Sequence, residues 1–108
     1  MHIQHYTQLA ATTAIYPEAG TGKDIELYYL AMGLTSEAGE VAGKIKKLLR
    51  DKKLDQGALA YELGDVFWYL CLLCEAIGYS PDQVMEININ KLLKRKNSNT
   101  ISGEGDYR

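Results

Sequence analysis

Glu37-Ala38-Gly39-Glu40 and Glu62-Leu63-Gly64-Asp65 are two acidic phrases of the same form, and the rest of the chain is arranged around them. Each phrase places two carboxylates three residues apart, with a glycine immediately before the second acid. Residues at this spacing lie on one face of an α-helix, where like charges repel each other. Glycine inside a helix costs roughly a further 1 kcal/mol relative to alanine. Two such phrases on neighbouring helices therefore indicate a compensating cation.

The spacing of apolar residues around these phrases predicts four helices. Pro17 and the glycines after it predict a loop behind the first helix, and Gly78 followed by Ser80-Pro81 predicts the break before the fourth. The predicted helices span Ile3–Ile15, about Asp24–Arg50, about Ala58–Ile77 and about Pro81–Lys96. Four helices with short connections predict an all-α, four-helix bundle-like domain.

The predicted core is formed by apolar stripes on the second and third helices, and both acidic pairs lie on the flanks of these stripes. Cys71-Leu72-Leu73-Cys74 matches C-x-x-C, but it lies in an apolar helix interior without a second pair to complete a zinc site, so it is predicted to fill the core. The stripe residues are Leu34, Ala38, Val41, Ile45 and Leu48 on the second helix, and Leu59, Leu63, Val66, Phe67, Leu70, Leu73, Cys74 and Ile77 on the third.

The length and composition indicate a single domain over residues 1–108, with a core at about 24–96 and an irregular tail at 97–108. The net charge of -2 argues against a general nucleic-acid-binding protein. We expect no membrane partner and a cytoplasmic location, because no apolar run looks long enough to cross a bilayer and no signal peptide is recognisable. A chain this small often completes its core by pairing with a copy of itself.

Four carboxylates without a nearby histidine or cysteine form a hard, all-oxygen set of ligands. Such a set suits Mg²⁺, or Mn²⁺ as a substitute, and magnesium sites are commonly completed by the phosphates of a substrate. The alternative interpretation is that the acids are solvated at helix edges, and that Gly39 and Gly64 allow close helix packing. The repetition of the same pattern on two helices favours the metal site.

Cationic and amide side chains for the phosphates occur on the fourth helix, where Asn88, Lys91 and Arg95 share one face. Such a stripe would bind pyrophosphate through charge-assisted hydrogen bonds, although basic stripes are more often solvated. Lys44 and Lys47 follow Glu40 by one and two turns and are further candidates for phosphate binding. The single tryptophan, Trp68, lies one turn after Asp65, where it would contact a nucleobase, the core or a dimer interface.

The residues from Leu34 to Val41, from Glu62 to Leu70 and from Asn88 to Arg95 resemble the MazG-like nucleoside triphosphate pyrophosphohydrolases of the all-α NTP pyrophosphatase superfamily. The signature of that superfamily is E-x-x-E followed by E-x-x-D. The resemblance covers residues 24 to 96, and the tail from Ile101 to Asp106 is similar to that of small single-domain members. The order of the motifs, with Lys91 and Arg95 downstream, makes the resemblance specific.

The resemblance implies hydrolysis of a nucleoside triphosphate between its α- and β-phosphates, giving a monophosphate and pyrophosphate, with nucleotide-pool house-cleaning as a role. It further implies that Glu37, Glu40, Glu62 and Asp65 bind Mg²⁺, that Glu37 or Glu40 orients the attacking water, and that Lys91 and Arg95 hold phosphate. Members are usually dimers or tetramers, often with sites near the subunit interface.

Three alternatives remain at this stage. A helical interaction module would keep the fold without catalysis, although all four acids are present. A di-iron carboxylate bundle usually needs Glu-x-x-His on two helices, and no histidine follows His5. Nucleic-acid binding through the basic segment from Lys44 to Lys53 is disfavoured by the net negative charge.

Overall fold

The computed structural model describes residues 1–106, and this part of the chain is all-helical, as the sequence predicts. The four helices are α1 (Ile3–Thr12), α2 (Asp24–Asp51), α3 (Gln56–Ala76) and α4 (Pro81–Asn97). Residues 98–106 follow α4 without regular structure, which agrees with the predicted tail, and residues 107–108 of that tail lie outside the described part.

Local hydrogen bonds set the helix ends. α1 ends before the predicted Ile15 because the Thr12 and Thr13 hydroxyls donate to the carbonyls of the preceding turn. α3 begins two residues before the predicted start because the Asp55 carboxylate accepts from the Ala58 amide. Ser80 caps α4, as predicted, and forms a complete capping box with Gln83.

α2 and α3 pack as an antiparallel pair. Leu30 and Leu72 belong to one buried cluster, and one turn further along α2 the backbone of Gly33 lies against the ring of Tyr69. A Cβ at Gly33 would lie only 2.1 Å from Cε1 of Tyr69, so a larger residue does not fit there without movement. As α2 is followed towards its C-terminus, the residues of α3 that it contacts come progressively earlier in the sequence. This antiparallel register brings Glu37 of α2 to Asp65 of α3.

The core lies at one end of this pair, where α1 and the loop after it pack on α3. Its buried cluster consists of Ala10, Tyr16, Leu30 and Leu72. Cys71 and Cys74 are buried free thiols, as predicted, and burial is the main cause that raises the pKa of each. The core is therefore smaller and nearer to α1 than the sequence predicts.

Much of the predicted apolar core is exposed within a single chain. The prediction that these stripes are buried is wrong for several residues of α2 and α3. Within the described chain, no other helix covers the second half of α2 or the side of α3 on which these residues lie. The exposed members of the two stripes are Ala38, Ile45 and Leu48 on α2, and Leu63, Phe67, Leu70 and Ile77 on α3.

The chain is also extended for its length. Its radius of gyration is 16.5 Å, whereas a compact domain of this size has one of roughly 13 Å. Within residues 1–106, α4 packs on α1 and α3, and no Cα of α4 comes within 8 Å of a Cα of α2. α4 leaves a stripe of Met85, Ile89 and Leu92 exposed at helical spacing.

α3 is long and apolar enough, by length and composition alone, to cross a membrane, and only 17% of its most apolar stretch is buried in the structure. The prediction that no run in the chain is long enough is wrong by this measure. Core helices of soluble proteins share this composition. The expectation that the chain has no membrane partner stays a prediction.

Candidate metal centre

Three of the four predicted metal ligands meet between α2 and α3. Glu37, Glu62 and Asp65 each offer a carboxylate oxygen, and these oxygens all lie within 4.8 Å of one another. The i, i+3 spacing places Glu62 and Asp65 on one face of α3, and the antiparallel register presents Glu37 to them from α2. We refer to Glu37, Glu62 and Asp65 as the acid cluster.

The carboxylates of the acid cluster lie close enough to repel one another. Burial and then the charges of Asp65, Glu62 and Glu40 raise the pKa of Glu37 above its usual range. Within the described residues, no member of the acid cluster forms an ion pair. The described part of the chain therefore supplies no cationic side chain in an ion pair with these acids.

The acid cluster fits a small divalent cation. All its donors are carboxylate oxygens, the type that Mg²⁺ prefers, and two oxygens bound to one Mg²⁺ lie about 3–4 Å apart. A separation of at most 4.8 Å therefore needs only small side-chain rotations to reach that geometry. Glu37 and Glu62 are half-buried and Asp65 is exposed, so the centre is open to a substrate on one side.

The fourth predicted ligand, Glu40, lies one turn further along α2 and outside the acid cluster. Its side chain is exposed, and its charge still acts on Glu37. Lys44 is half-buried on the following turn of α2, and Lys47 is exposed and helps to lower the pKa of Asp51, after the larger effect of Arg50. The lysines predicted to bind phosphate thus continue along α2 beyond the acids.

The glycines of the two acidic phrases do not serve close packing within the chain. A Cβ added at Gly39 or Gly64 would meet no atom of residues 1–106 within 4 Å. The close approach of α2 to α3 instead occurs at Gly33, one turn before Glu37, which the sequence did not single out. The alternative interpretation of the two glycines as packing residues is therefore wrong for the single chain.

Within residues 1–106, the predicted phosphate-binding residues of α4 form no ion pair with the acid cluster, and no Cα of α4 lies within 8 Å of a Cα of α2. Asn88 is exposed and Lys91 is half-buried. Arg95 is buried, and its Nη2 donates hydrogen bonds to the carbonyls of Gly105 and Asp106 at 3.1 and 2.8 Å. Lys91 Nζ lies 3.3 Å from Oδ1 of Asp106. The role of these residues in phosphate binding stays a prediction.

Trp68 lies in an aromatic group between α1 and α3. Its indole Nε1 donates to the hydroxyl of Thr13 at 2.8 Å, and its ring packs edge-on against Tyr16 and Tyr69. These contacts hold α1 on α3 one turn from Asp65. Contact between Trp68 and a nucleobase stays a prediction.

Sequence reasoning missed Glu26, a buried carboxylate in the first turn of α2. It accepts hydrogen bonds from the Tyr16 hydroxyl at 2.6 Å and from the amides of Gly20 and Gly22 at 2.6 and 2.8 Å. Burial alone would raise the pKa of Glu26, but these three hydrogen bonds lower it below its usual value. An acid at the third helical position directly after a Gly-x-Gly loop is the signal that would have found it.

The loop that Glu26 fastens borders a cavity of about 580 Å³, together with α1 and the end of α3. Tyr16, Glu26, Leu72 and Glu75 are among its lining residues. Glu26 and Glu37 are three helical turns apart on α2, or roughly 16 Å. The cavity and the acid cluster are therefore two separate features of the α2–α3 pair.

Comparison with known proteins agrees with the acid cluster. The MazG nucleotide pyrophosphohydrolase domain matches residues 27–100, a range that contains all four acids of the two phrases. The "Gene 37 protein" of Mycobacterium phage L5 is 45% identical over 114 aligned residues, and the match covers the whole of both chains. No solved structure matches the chain significantly. The chain belongs to the MazG nucleotide pyrophosphohydrolase domain family.

Proposed function

We propose that this protein hydrolyses nucleoside triphosphates, ribo- or deoxyribo-, between the α- and β-phosphates in a Mg²⁺-dependent reaction. The products are the nucleoside monophosphate and pyrophosphate. The single observation that supports this proposal best is the acid cluster, which assembles carboxylates from two helices and has no ion pair with any cation of residues 1–106. Membership of the MazG family supports a nucleotide as the substrate.

Glu37, Glu62 and Asp65 would hold Mg²⁺, with Mn²⁺ as a substitute. The bound ion would neutralise phosphate oxygens and lower the pKa of a water molecule. Glu40 is the better of the two candidates for orienting that water, since it lies outside the acid cluster and is exposed one turn away. Glu40 would accept a proton from the water as the water oxygen bonds to the α-phosphorus. The bond between the α-phosphorus and the α,β-bridging oxygen then breaks, and pyrophosphate leaves.

Mg²⁺-dependent turnover is tested with a panel of ribo- and deoxynucleoside triphosphates whose products are separated by chromatography. We expect monophosphate and pyrophosphate, loss of turnover in chelator, and at least a hundredfold lower kcat for Glu40→Gln and Glu62→Gln. Glu86→Gln on α4 is the matched control, because it removes an exposed carboxylate that does not belong to the acid cluster. Diphosphate and orthophosphate as products would overturn the proposed cleavage position. No turnover by folded, Mg²⁺-loaded protein would favour a helical interaction module.

The proposal includes self-association, because among the described residues no ion pair joins the acid cluster to the basic face of α4. Exposed apolar stripes on α2, α3 and α4 provide surfaces that a second copy would cover. Asn88 and Lys91 lie beside the exposed stripe of α4, so packing of that stripe on the α2–α3 pair of another copy would carry them towards the acids.

The mass of the protein in solution tests self-association. Ile89→Lys, in the middle of the exposed stripe of α4, is expected to convert a dimer or tetramer into monomers and to lower turnover at least tenfold. Asn90→Lys adds the same charge at the next exposed position and is expected to keep the assembly. A wild-type monomer at micromolar concentration would contradict self-association and leave the metal centre to be judged by its own test.

A further inference from the structure

The close contact between α2 and α3 lies directly behind the acid cluster. Gly33 comes one turn before Glu37 on α2, and Tyr69 comes one turn after Asp65 on α3. The contact and the acids are therefore separated by roughly 6 Å along each helix. The ring of Tyr69 takes the place of a side chain at Gly33, since an added Cβ would overlap Cε1 and would lie 2.5 Å from Cδ1 and Cζ. At this level the two helices are thus separated by one aromatic ring on bare backbone.

The ring of Tyr69 is held in place by its neighbours. It packs edge-on against Trp68, with the ring centroids 4.9 Å apart, and its centroid lies 6.2 Å from that of Tyr29. Trp68 is fixed in turn by its hydrogen bond to Thr13, and Tyr69 also packs on the buried cluster of the core. An added group at Gly33 would therefore move α2 away from α3 more readily than it would turn the ring.

The geometry of the acid cluster depends on the spacing of these two helices. Glu62 and Asp65 share α3 and keep their separation when the spacing changes, whereas Glu37 on α2 moves relative to both. Mg²⁺ requires oxygen ligands at about 2.0–2.1 Å in near-ideal octahedral geometry, but Ca²⁺ accepts distances of about 2.3–2.6 Å and looser arrangements. A wider gap therefore weakens the binding of Mg²⁺ more than that of Ca²⁺.

We propose that the contact between Gly33 and Tyr69 is a spacer, which sets the distance from Glu37 to the two acids of α3 and thereby favours Mg²⁺ over the larger Ca²⁺. This inference rests on the proposed function, which assigns Mg²⁺ to the acid cluster. Tyr69 is a positioning residue here, because it acts through the spacing of the helices and not as a metal ligand. Gly33 is needed because any side chain at this position would widen the gap.

Competition for Mn²⁺ measures this preference without turnover. Free Mn²⁺ is followed by electron paramagnetic resonance while Mg²⁺ or Ca²⁺ displaces it from the full-length protein, after circular dichroism has shown each variant to be folded. Gly33→Ala is expected to raise the Kd for Mg²⁺ about tenfold, the lower end of the usual cost of changes behind metal ligands, and the Kd for Ca²⁺ by less. Tyr69→Trp widens the same contact from α3 and is expected to shift both constants in the same direction, so the test does not depend on the folding of one variant.

Two further substitutions are the controls. Gly39→Ala adds the same methyl group to α2 and lies closer to Glu37 in the sequence, but its Cβ would meet no atom of residues 1–106 within 4 Å. It is expected to keep the wild-type ratio of the Ca²⁺ and Mg²⁺ constants. Tyr69→Phe keeps the ring and is expected to behave as the wild type, because the spacer is steric.

The outcomes separate the spacer from the metal centre. An unchanged ratio of the two constants in Gly33→Ala and Tyr69→Trp would overturn the spacer alone. An equal change in Gly39→Ala would overturn it too, since any methyl group on α2 would then suffice, and a change in Tyr69→Phe as large as that in Tyr69→Trp would assign the effect to the hydroxyl. Wild-type protein that binds no Mn²⁺, or whose Mn²⁺ binding survives Glu62→Gln, would refute the acid cluster as the metal centre and the spacer with it.

Discussion

The acid cluster predicts that removing one of its charges stabilises the metal-free protein. Two unit charges 4.8 Å apart repel by about 0.9 kcal/mol at the dielectric constant of water. Glu62→Gln removes two of the three repulsive pairs, or about 2 kcal/mol before screening. At physiological salt, with a Debye length of about 8 Å, roughly 1 kcal/mol remains. For a domain of this size that gain raises Tm by about 4–8 °C.

With Mg²⁺ bound, we expect the wild type to be more stable than Glu62→Gln. A ligand that binds only the folded protein stabilises it by about 2.7 kcal/mol at a hundred times its Kd, and Glu62→Gln lacks one carboxylate of the binding set. Unfolding is followed at one protein concentration, first in chelator and then over a Mg²⁺ titration. Glu86→Gln, the control on α4, is expected to follow the wild type in both.

Two results would refute the reasoning. If Glu62→Gln is less stable than the wild type in chelator, the carboxylates stabilise each other through interactions other than those between bare charges. If Mg²⁺ stabilises both proteins equally, the ion binds elsewhere. The first result refutes the repulsion within the acid cluster, and the second shows that the cluster is not the metal centre.

Two further predictions concern the α2–α3 contact and the loop before α2. Gly33→Ala is expected to be less stable than Gly39→Ala by about 1–3 kcal/mol in urea unfolding. Both substitutions raise helix propensity, but only Gly33→Ala forces a methyl group into the ring of Tyr69. Equal stability of the two variants would contradict the close contact. The pKa of Glu26 is lower in the folded state than its unfolded value of 4.5. Glu26 therefore stabilises the folded protein above pH 4.5, and this contribution to the free energy of unfolding is lost as the pH falls through the folded-state pKa. Glu26→Gln is expected to remove that part of the acid destabilisation in unfolding curves recorded over acidic and neutral pH, and an unchanged acid profile would count against the network.

The sequence predicts the helices and the acid cluster because both depend on local spacing. The 3.6-residue period decides which segments become helices, and the same period places Glu62 and Asp65 on one face. The meeting of that face with Glu37 needs only an antiparallel neighbour, which a short turn between α2 and α3 provides. Local hydrogen bonds shift the helix ends by one to three residues, since capping side chains compete with the helix for backbone groups.

The sequence does not predict what covers each apolar face. A stripe that contains Leu63 and Leu70 has the same period whether its own chain or a second copy buries it, so periodicity predicted burial where the single chain leaves these residues exposed. The contact of Arg95 with the tail was not predicted for a related reason. Its partners, the carbonyls of Gly105 and Asp106, come from an irregular tail whose path depends on left-handed residues and not on a period.

The position of α4 accounts for both the exposed apolar faces and the contacts of the tail. A chain with a radius of gyration of 16.5 Å and an exposed apolar stripe on α4 has not buried the surface that a compact domain of its length would bury. The capping box at Ser80 sets the start of α4, which then packs on α1 and α3 and has no Cα within 8 Å of a Cα of α2. Within residues 1–106, the acid cluster thus has no ion pair with a cation, while the Lys91 ammonium on α4 lies 3.3 Å from a carboxylate of the tail. Opposite charges and unpaired apolar stripes on the two parts of one chain are complementary, and we infer that a second copy brings them together.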